Sequence, residues 1–319
     1  MPVVPTRRKV VGLMLAFVAG GLVAIQARIN GALGTSMGNG IVAALISFST
    51  GLVLLGVIAL CNPAVRHRFS QLRAALTDRR LVWWQLLGGF SGAFLVLSQG
   101  VTVTVIGVAT FTVAAVGGQL ISSLLVDRAG LGPAGRAPVT LNRAVGAGVA
   151  LIAVLVASAN GITGGLSVYA LALLPALAGF GTAWQQAVNG RVGVAAGPVV
   201  ATVINFVVGT AALIIAAAAS VLIRGLPAAL PHQPWLFLGG VIGVLFIASA
   251  ALIVRWVGVL LLGMTSIAGQ LTGAVVVELV APTNAGLSLI KVLGCALTLV
   301  GVIIAVRPQR RRTLDHTAG

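Results

Sequence analysis

Gln26 and Asn30 stand four residues apart near the end of the first long apolar run, and Gln185 and Asn189 repeat that spacing 159 positions later. Four residues is about one helical turn, so each pair shares a helix face. A carboxamide donates and accepts hydrogen bonds, so it can orient a solute's polar groups or tie two helices together. Hydrocarbon offers it no partner, which makes polar groups in such runs functional hypotheses. Gln119 and Gln270 sit at corresponding positions further on, as do Ser47 and Asn205. These eight residues are candidate substrate-binding groups. Helix-to-helix bonding, at about 0.6–2 kcal/mol each, is the alternative for any one of them.

The chain holds only four acids, Asp78, Asp127, Glu278 and Asp315. Asp78 and Asp315 fall in polar connecting segments. Asp127 and Glu278 correspond to each other and end two apolar runs, where a carboxylate could couple proton movement to transport. Glu278 suits that role better, because Asp127 adjoins Arg128. Interfacial placement with bound water is the other reading of both.

Enzyme chemistry finds no footing. His67, His232 and His316 lie in loops or the tail, and HExxH and P-loop motifs are absent. Cys61 and Cys295 lack metal-ligand spacing and read as small apolar residues. No metal, cofactor or nucleic-acid partner is expected.

The elements that must position these groups follow from composition. The 319-residue chain is 59% hydrophobic and 8% charged, with mean hydropathy +1.12. A soluble domain carries about 25% charged residues, so lipid must cover this one. Uncharged runs of about twenty residues recur, each enough for a helix to cross a bilayer. The class is an all-α polytopic membrane protein, since the short alternating segments of a β-barrel are missing. The net charge of +16 comes in clusters between apolar runs without interleaved aromatics, which reads as orientation and not nucleic-acid binding. Arg7-Arg8-Lys9 resembles a signal-peptide start, but the run that follows is long, so it reads as a retained helix.

The chain is two copies of one unit. Gly20, Gln26, Asn30 and Gly34 pair with Gly179, Gln185, Asn189 and Gly193 at offset 159. Ala43, Ser47, Phe48 and Gly51 pair with Ala201, Asn205, Phe206 and Gly209 at offset 158. At offset 151, Gly88, Gly92, Ser98, Gly107, Gln119 and Asp127 pair with Gly239, Gly243, Ser249, Gly258, Gln270 and Glu278. Arg143 and Lys291 follow at offset 148 and snorkel to the interface as the simplest reading. Spans are expected near 10–30, 41–60, 82–103, 105–126 and 141–159, then near 167–190, 199–223, 235–254, 256–278 and 286–306. The units are therefore 1–160 and 161–306, with a basic tail at 307–319. The Asn-Gly pairs at 30–31 and 189–190 are places where a helix breaks or is capped.

Five spans per copy is odd, so the second copy enters the membrane inverted. With the N-terminus inside, seventeen of the twenty basic residues lie on the cytoplasmic side, and only Arg28, Arg224 and Lys291 lie opposite. The five arginines at 66–80 have one counterpart at 224–234, whereas Ala32 and Thr104 become Arg191 and Arg255. Charge follows the membrane side and not the copy. Ten helices as two inverted five-helix repeats are expected, with both termini cytoplasmic.

A five-span unit with Gln-x3-Asn-Gly ending its first helix and Phe-x2-Gly in its second resembles the YdcZ-type family of the drug/metabolite transporter (DMT) superfamily. The residues are Gln26, Asn30, Gly31, Phe48 and Gly51, repeated as Gln185, Asn189, Gly190, Phe206 and Gly209. The resemblance implies a bacterial inner-membrane exporter of small molecules, here in the fused two-unit form, as monomer or homodimer. Relatives with a first-helix glutamate bind cations, and Gln26 or Gln185 in its place departs from that pattern. The expected function is secondary transport by alternating access, with an uncoupled channel or a membrane scaffold as alternatives.

Overall fold

A backbone in hydrocarbon must satisfy its N–H and C=O groups within its own segment, so apolar runs of this length fold as helices. The computed structural model describes residues 6–133, 135–136, 138–158, 166–227, 230–257 and 259–306. Among these are eleven α-helices and no strand: α1 (Thr6–Ser36), α2 (Gly40–Cys61), α3 (Pro63–Thr77), α4 (Gly89–Ile106), α5 (Val108–Ala129), α6 (Leu141–Ser158), α7 (Leu166–Ala196), α8 (Pro198–Arg224), α9 (Gly239–Val257), α10 (Val259–Val280) and α11 (Leu289–Val306). Among the described residues, six stretches in α1, α2, α4, α5, α8 and α10 are long and apolar enough to cross a membrane, and α6, α9 and α11 carry shorter ones. Apolar side chains cover the outside, with Leu222 87% and Val280 80% exposed.

A helix stands at each of the ten expected spans. The eleventh, α3, occupies much of the segment expected to be a loop. Asn62 caps it by accepting from the Ala64 N–H at 3.0 Å, and Pro63 begins it with its backbone angle already helical. Val65, Leu72 and Ala75 pack on Val192, Ala196 and Val200 of α7 and α8, while Arg66, His67 and Arg73 face outward and Arg68 lies over Gly197. The expected unit boundary at 160/161, the tail 307–319 with Asp315 and His316, Gly258 and the Arg255 side chain lie outside the described residues.

Both Asn-Gly pairs sit inside helices and not at breaks or caps. The 31-residue α1 and α7 run through them to Ser36 and Ala196. Gly31 is small for clearance, since a Cβ there would lie 2.9 Å from the Val103 side chain. The real breaks are Gly107 and Gly197, with φ of 87° and 88°, a region open to glycine. Pro198 follows the second and starts α8.

The two halves interleave. α1 packs on α9 and α10, and α7 packs on α4 and α5. Glycines bring these backbones into contact: Gly20 lies against Ser266 and Gly269 against Phe17, just as Gly179 lies against Ala115 and Gly118 against Ala176. A Cβ at any of the four would overlap main-chain atoms, so side chains are excluded there. Gly146 of α6 and Gly301 of α11 meet the same way. In the centre α2 crosses α8, with the Phe48 and Phe206 ring centroids 4.9 Å apart. Each ring rests on the other helix's glycine, Phe206 on Gly51 and Phe48 on Gly209. This explains Phe-x2-Gly: the aromatic of one copy needs the glycine of the other.

Candidate functional site

Three sets of polar groups emerge from the packing. The first lies where α1, α2 and α9 cross. Gln26 Nε2 donates to the Gly239 carbonyl at 3.0 Å, and Asn30 Nδ2 donates to Gln99 Oε1 of α4 at 2.7 Å. Ser47 Oγ and Asn30 Oδ1 both border Gly239, buried and without a hydrogen-bond partner. Gln26 also lies over Gly243. These amides fit because α9 presents glycine at both positions.

The second set lies where α7, α8 and α4 cross. Gln185 Nε2 and Asn189 Nδ2 both donate to Asn205 Oδ1, at 2.8 and 2.9 Å. Gly88 leaves room for Asn189 and Gly92 for Gln185. The two knots are built from corresponding residues but wired differently. In the second, Asn205 stands where the first has Ser47, and Ala250 stands where the first has Gln99. The asparagine of the first helix therefore finds its acceptor on α8 in one half and on α4 in the other.

The third set encloses a cavity between α1, α4, α5, α7, α9 and α10. Its walls include Gln99, Gln119, Gln186, Gln270, Thr112 and Thr182, with Phe111, Phe246, Val23, Ala27 and Leu95. Four pairs of corresponding positions line this one space: Val23 with Thr182, Ala27 with Gln186, Leu95 with Phe246, and Gln119 with Gln270. Gln119 Nε2 donates to Gln186 Oε1 at 3.3 Å. Gln99 is fully buried; with its oxygen taken by Asn30, its Nε2 has no partner. The cavity is about 50 Å³, room for a few waters and well below the several hundred Å³ of a drug-sized pocket.

Of the eight candidate binding residues, the structure therefore brings Gln119 and Gln270 to the cavity. Gln26, Asn30 and Ser47 lie in one flanking knot, and Gln185, Asn189 and Asn205 in the other. Sequence reasoning passed over Gln99 and Gln186. Their counterparts are Ala250 and Ala27, so a search for repeated polar pairs discards them. Their available signal was polarity alone, in otherwise apolar helices.

The charged residues gather at two ends of the bundle. Glu278, 1% exposed, accepts from the Val108 N–H at 2.7 Å, from the Thr283 N–H at 3.0 Å and from the Thr283 hydroxyl. A carboxylate at the first residue of α5 meets free N–H groups and the positive end of the helix dipole. Lys291 is buried rather than snorkelling, and donates to the Ala285 and Gly286 carbonyls at 2.9 and 2.6 Å. Gly107 separates the two charges: a Cβ there would lie 3.3 Å from both Glu278 Oε2 and Lys291 Nζ. Arg28 donates to the Ala281 carbonyl nearby, at 2.9 Å. At the corresponding place Asp127 forms an ion pair with Arg143, and Asp127 is half exposed. Arg143 is thus a partner of Asp127 and not a free snorkelling cation. Asp78 is exposed and pairs with Arg80. Neither Glu278 nor Asp127 lines the cavity; Glu278 lies eight residues from Gln270, about 12 Å along α10. Among the described residues no group of histidines, cysteines and acids could hold a metal.

A family model described as "Putative inner membrane exporter, YdcZ" matches the chain in two segments, residues 11–156 and 170–304. No curated protein matches it.

Proposed function

The chain belongs to the YdcZ family of inner membrane exporters, and on that premise we propose that it is a secondary transporter that moves a small solute by alternating access. Its ten long helices form two five-helix repeats inserted in opposite orientation, with both termini cytoplasmic and α3 on the cytoplasmic surface. The observation that carries this reading is the cavity. Four pairs of positions related by the sequence repeat line one space, which follows if a twofold pseudo-axis passes through it. Inverted-repeat transporters hold substrate at such an interface. Gln119 and Gln270, with Gln99 and Gln186, bind the solute. Among the flanking groups Gln26 fastens α1 to α9 of the other half, Asn30 fastens α1 to α4, and Gln185 and Asn189 fasten α7 to Asn205 of α8, with Ser47 buried beside the first knot.

The cavity is too small for a drug-sized solute, so loading requires the halves to shift. Glu278 is the candidate coupling group: protonation would remove one acceptor from the start of α5 and loosen that end. Asp127 is its counterpart at the other end. The protein works as a monomer or homodimer, and an uncoupled facilitator is the second reading.

The test is efflux of cellular metabolites from proteoliposomes with and without an imposed proton gradient. We expect gradient-stimulated flux that falls at least about tenfold in Gln119→Leu/Gln270→Leu, since the solute loses its hydrogen-bond partners. Flux indifferent to the gradient would select the facilitator. Unchanged flux in the double variant would remove the cavity from the pathway.

A further inference from the structure

We infer that the cavity selects small uncharged solutes carrying a planar group that both donates and accepts hydrogen bonds, such as an amide or a lactam on a flat apolar body. This rests on the reading of the cavity as the solute site. None of the described residues lining it is ionisable. The charged groups nearest in the chain are already committed. Arg28 is held by the Ala281 carbonyl, Glu278 by Val108 and Thr283, Asp127 by Arg143, and Lys291 by two carbonyls. An ion brought into this space would lose its hydration and gain no counter-charge, which disfavours it strongly.

The groups that are free have a defined polarity. Gln99 lines the cavity with its oxygen fixed by Asn30, so its N–H pair is left without a partner and calls for an acceptor. Gln119 gives its N–H to Gln186, which leaves its oxygen to accept from the solute. Donor and acceptor thus face the same space from different helices, the arrangement a carboxamide edge satisfies. Phe111 and Phe246 supply apolar walls for the rest of the solute. A site built to pair buried donors and acceptors discriminates sharply against solutes that leave them unpaired.

The discriminating experiment uses one skeleton in three charge states. Full-length protein in proteoliposomes is assayed for uptake of nicotinamide (neutral), 1-methylnicotinamide (cation) and nicotinate (anion), against protein-free vesicles. We expect protein-dependent flux of nicotinamide at least about tenfold above that of either ion. The variants Gln119→Glu and Gln270→Glu place a carboxylate in the cavity and should raise 1-methylnicotinamide flux relative to nicotinamide. Because both positions are only partly buried, either variant can be checked for native elution before the assay. Native protein that carries an ion as well as nicotinamide overturns the inference and leaves the transport reading standing. If none of the three is carried by native protein that still moves cellular metabolites, the inference falls and the transport reading stands.

Discussion

Glu278 is a buried carboxylate whose oxygens all meet donors, from Val108 and Thr283. Replacing it with glutamine puts an NH₂ group against one of those N–H groups, so one donor is left facing another. A buried unsatisfied donor costs about 1–3 kcal/mol. Glu278→Gln should therefore lower the thermal unfolding temperature in detergent, while Asp78→Asn, an exposed pair with Arg80, should leave it within error. An unchanged temperature in Glu278→Gln would falsify the capping role. The same residue scale sets the limit of sequence reading. Gln119 and Gln270 were legible because they repeat. Gln99 and Gln186 were not, because each faces the cavity from one half only and its counterpart is alanine. A site on a pseudo-axis need not be chemically symmetric, since one side chain on the axis can serve both halves.

At the scale of the element, α3 is the piece that the repeat does not predict. The second half connects α8 to α9 with Arg224 and a proline-bearing segment, so nothing in the duplication calls for a helix there. Its signal was local: Asn62-Pro63 as a helix start, then Val65, Phe69, Leu72, Ala75 and Leu76 at helical spacing. The cluster of arginines drew attention to charge and away from this period. α3 holds to the bundle by one apolar stripe, so its docking is separable from the fold. Leu72→Asp should release it, making trypsin cut after Arg66, Arg68 and Arg73 at least about tenfold faster while α4–α11 stay resistant. Equal digestion of native and variant protein would mean that the stripe does not hold the helix. The helix breaks were legible in part for a related reason. The division between the third and fourth spans was expected at Thr104, where the second copy has Arg255, and the break lies three residues on at Gly107, whereas Asn-Gly suggested breaks that helix packing does not use. Whether a glycine bends the chain or admits a neighbour depends on what lies beside it, which a single sequence does not contain.

At the scale of the whole molecule, the duplication was readable from offsets, but the interleaving was not. That α1 lies on α10 and α7 on α5 is a long-range fact, carried by glycines whose partners are main-chain atoms and leave no residue-type trace. The proposed inversion has a direct measurement. On a Cys61→Ala/Cys295→Ala background, Arg73→Cys and His232→Cys each introduce a thiol at an exposed position. A membrane-impermeant maleimide applied to spheroplasts should label the second and not the first, and everted vesicles should reverse the result. Labelling of both from the same side would reject opposite insertion.

The crossing of α2 and α8 has a mechanical consequence. Phe48 and Phe206 meet with their rings tilted by 33°, and each rides on a glycine of the opposing helix, so at that point the two helices present smooth seats to one another. Such a contact acts as a bearing, with two flat surfaces on smooth seats at the hub of the molecule. The polar ties lie away from that hub, where Asn39 joins the start of α2 to Ser220 of α8, Glu278 grips α5 and Asp127 grips Arg143. Under the proposed mechanism, a smooth hub with ties around it would let a small chemical event at a rim, the arrival or departure of one proton at Glu278, set the position of the whole wheel.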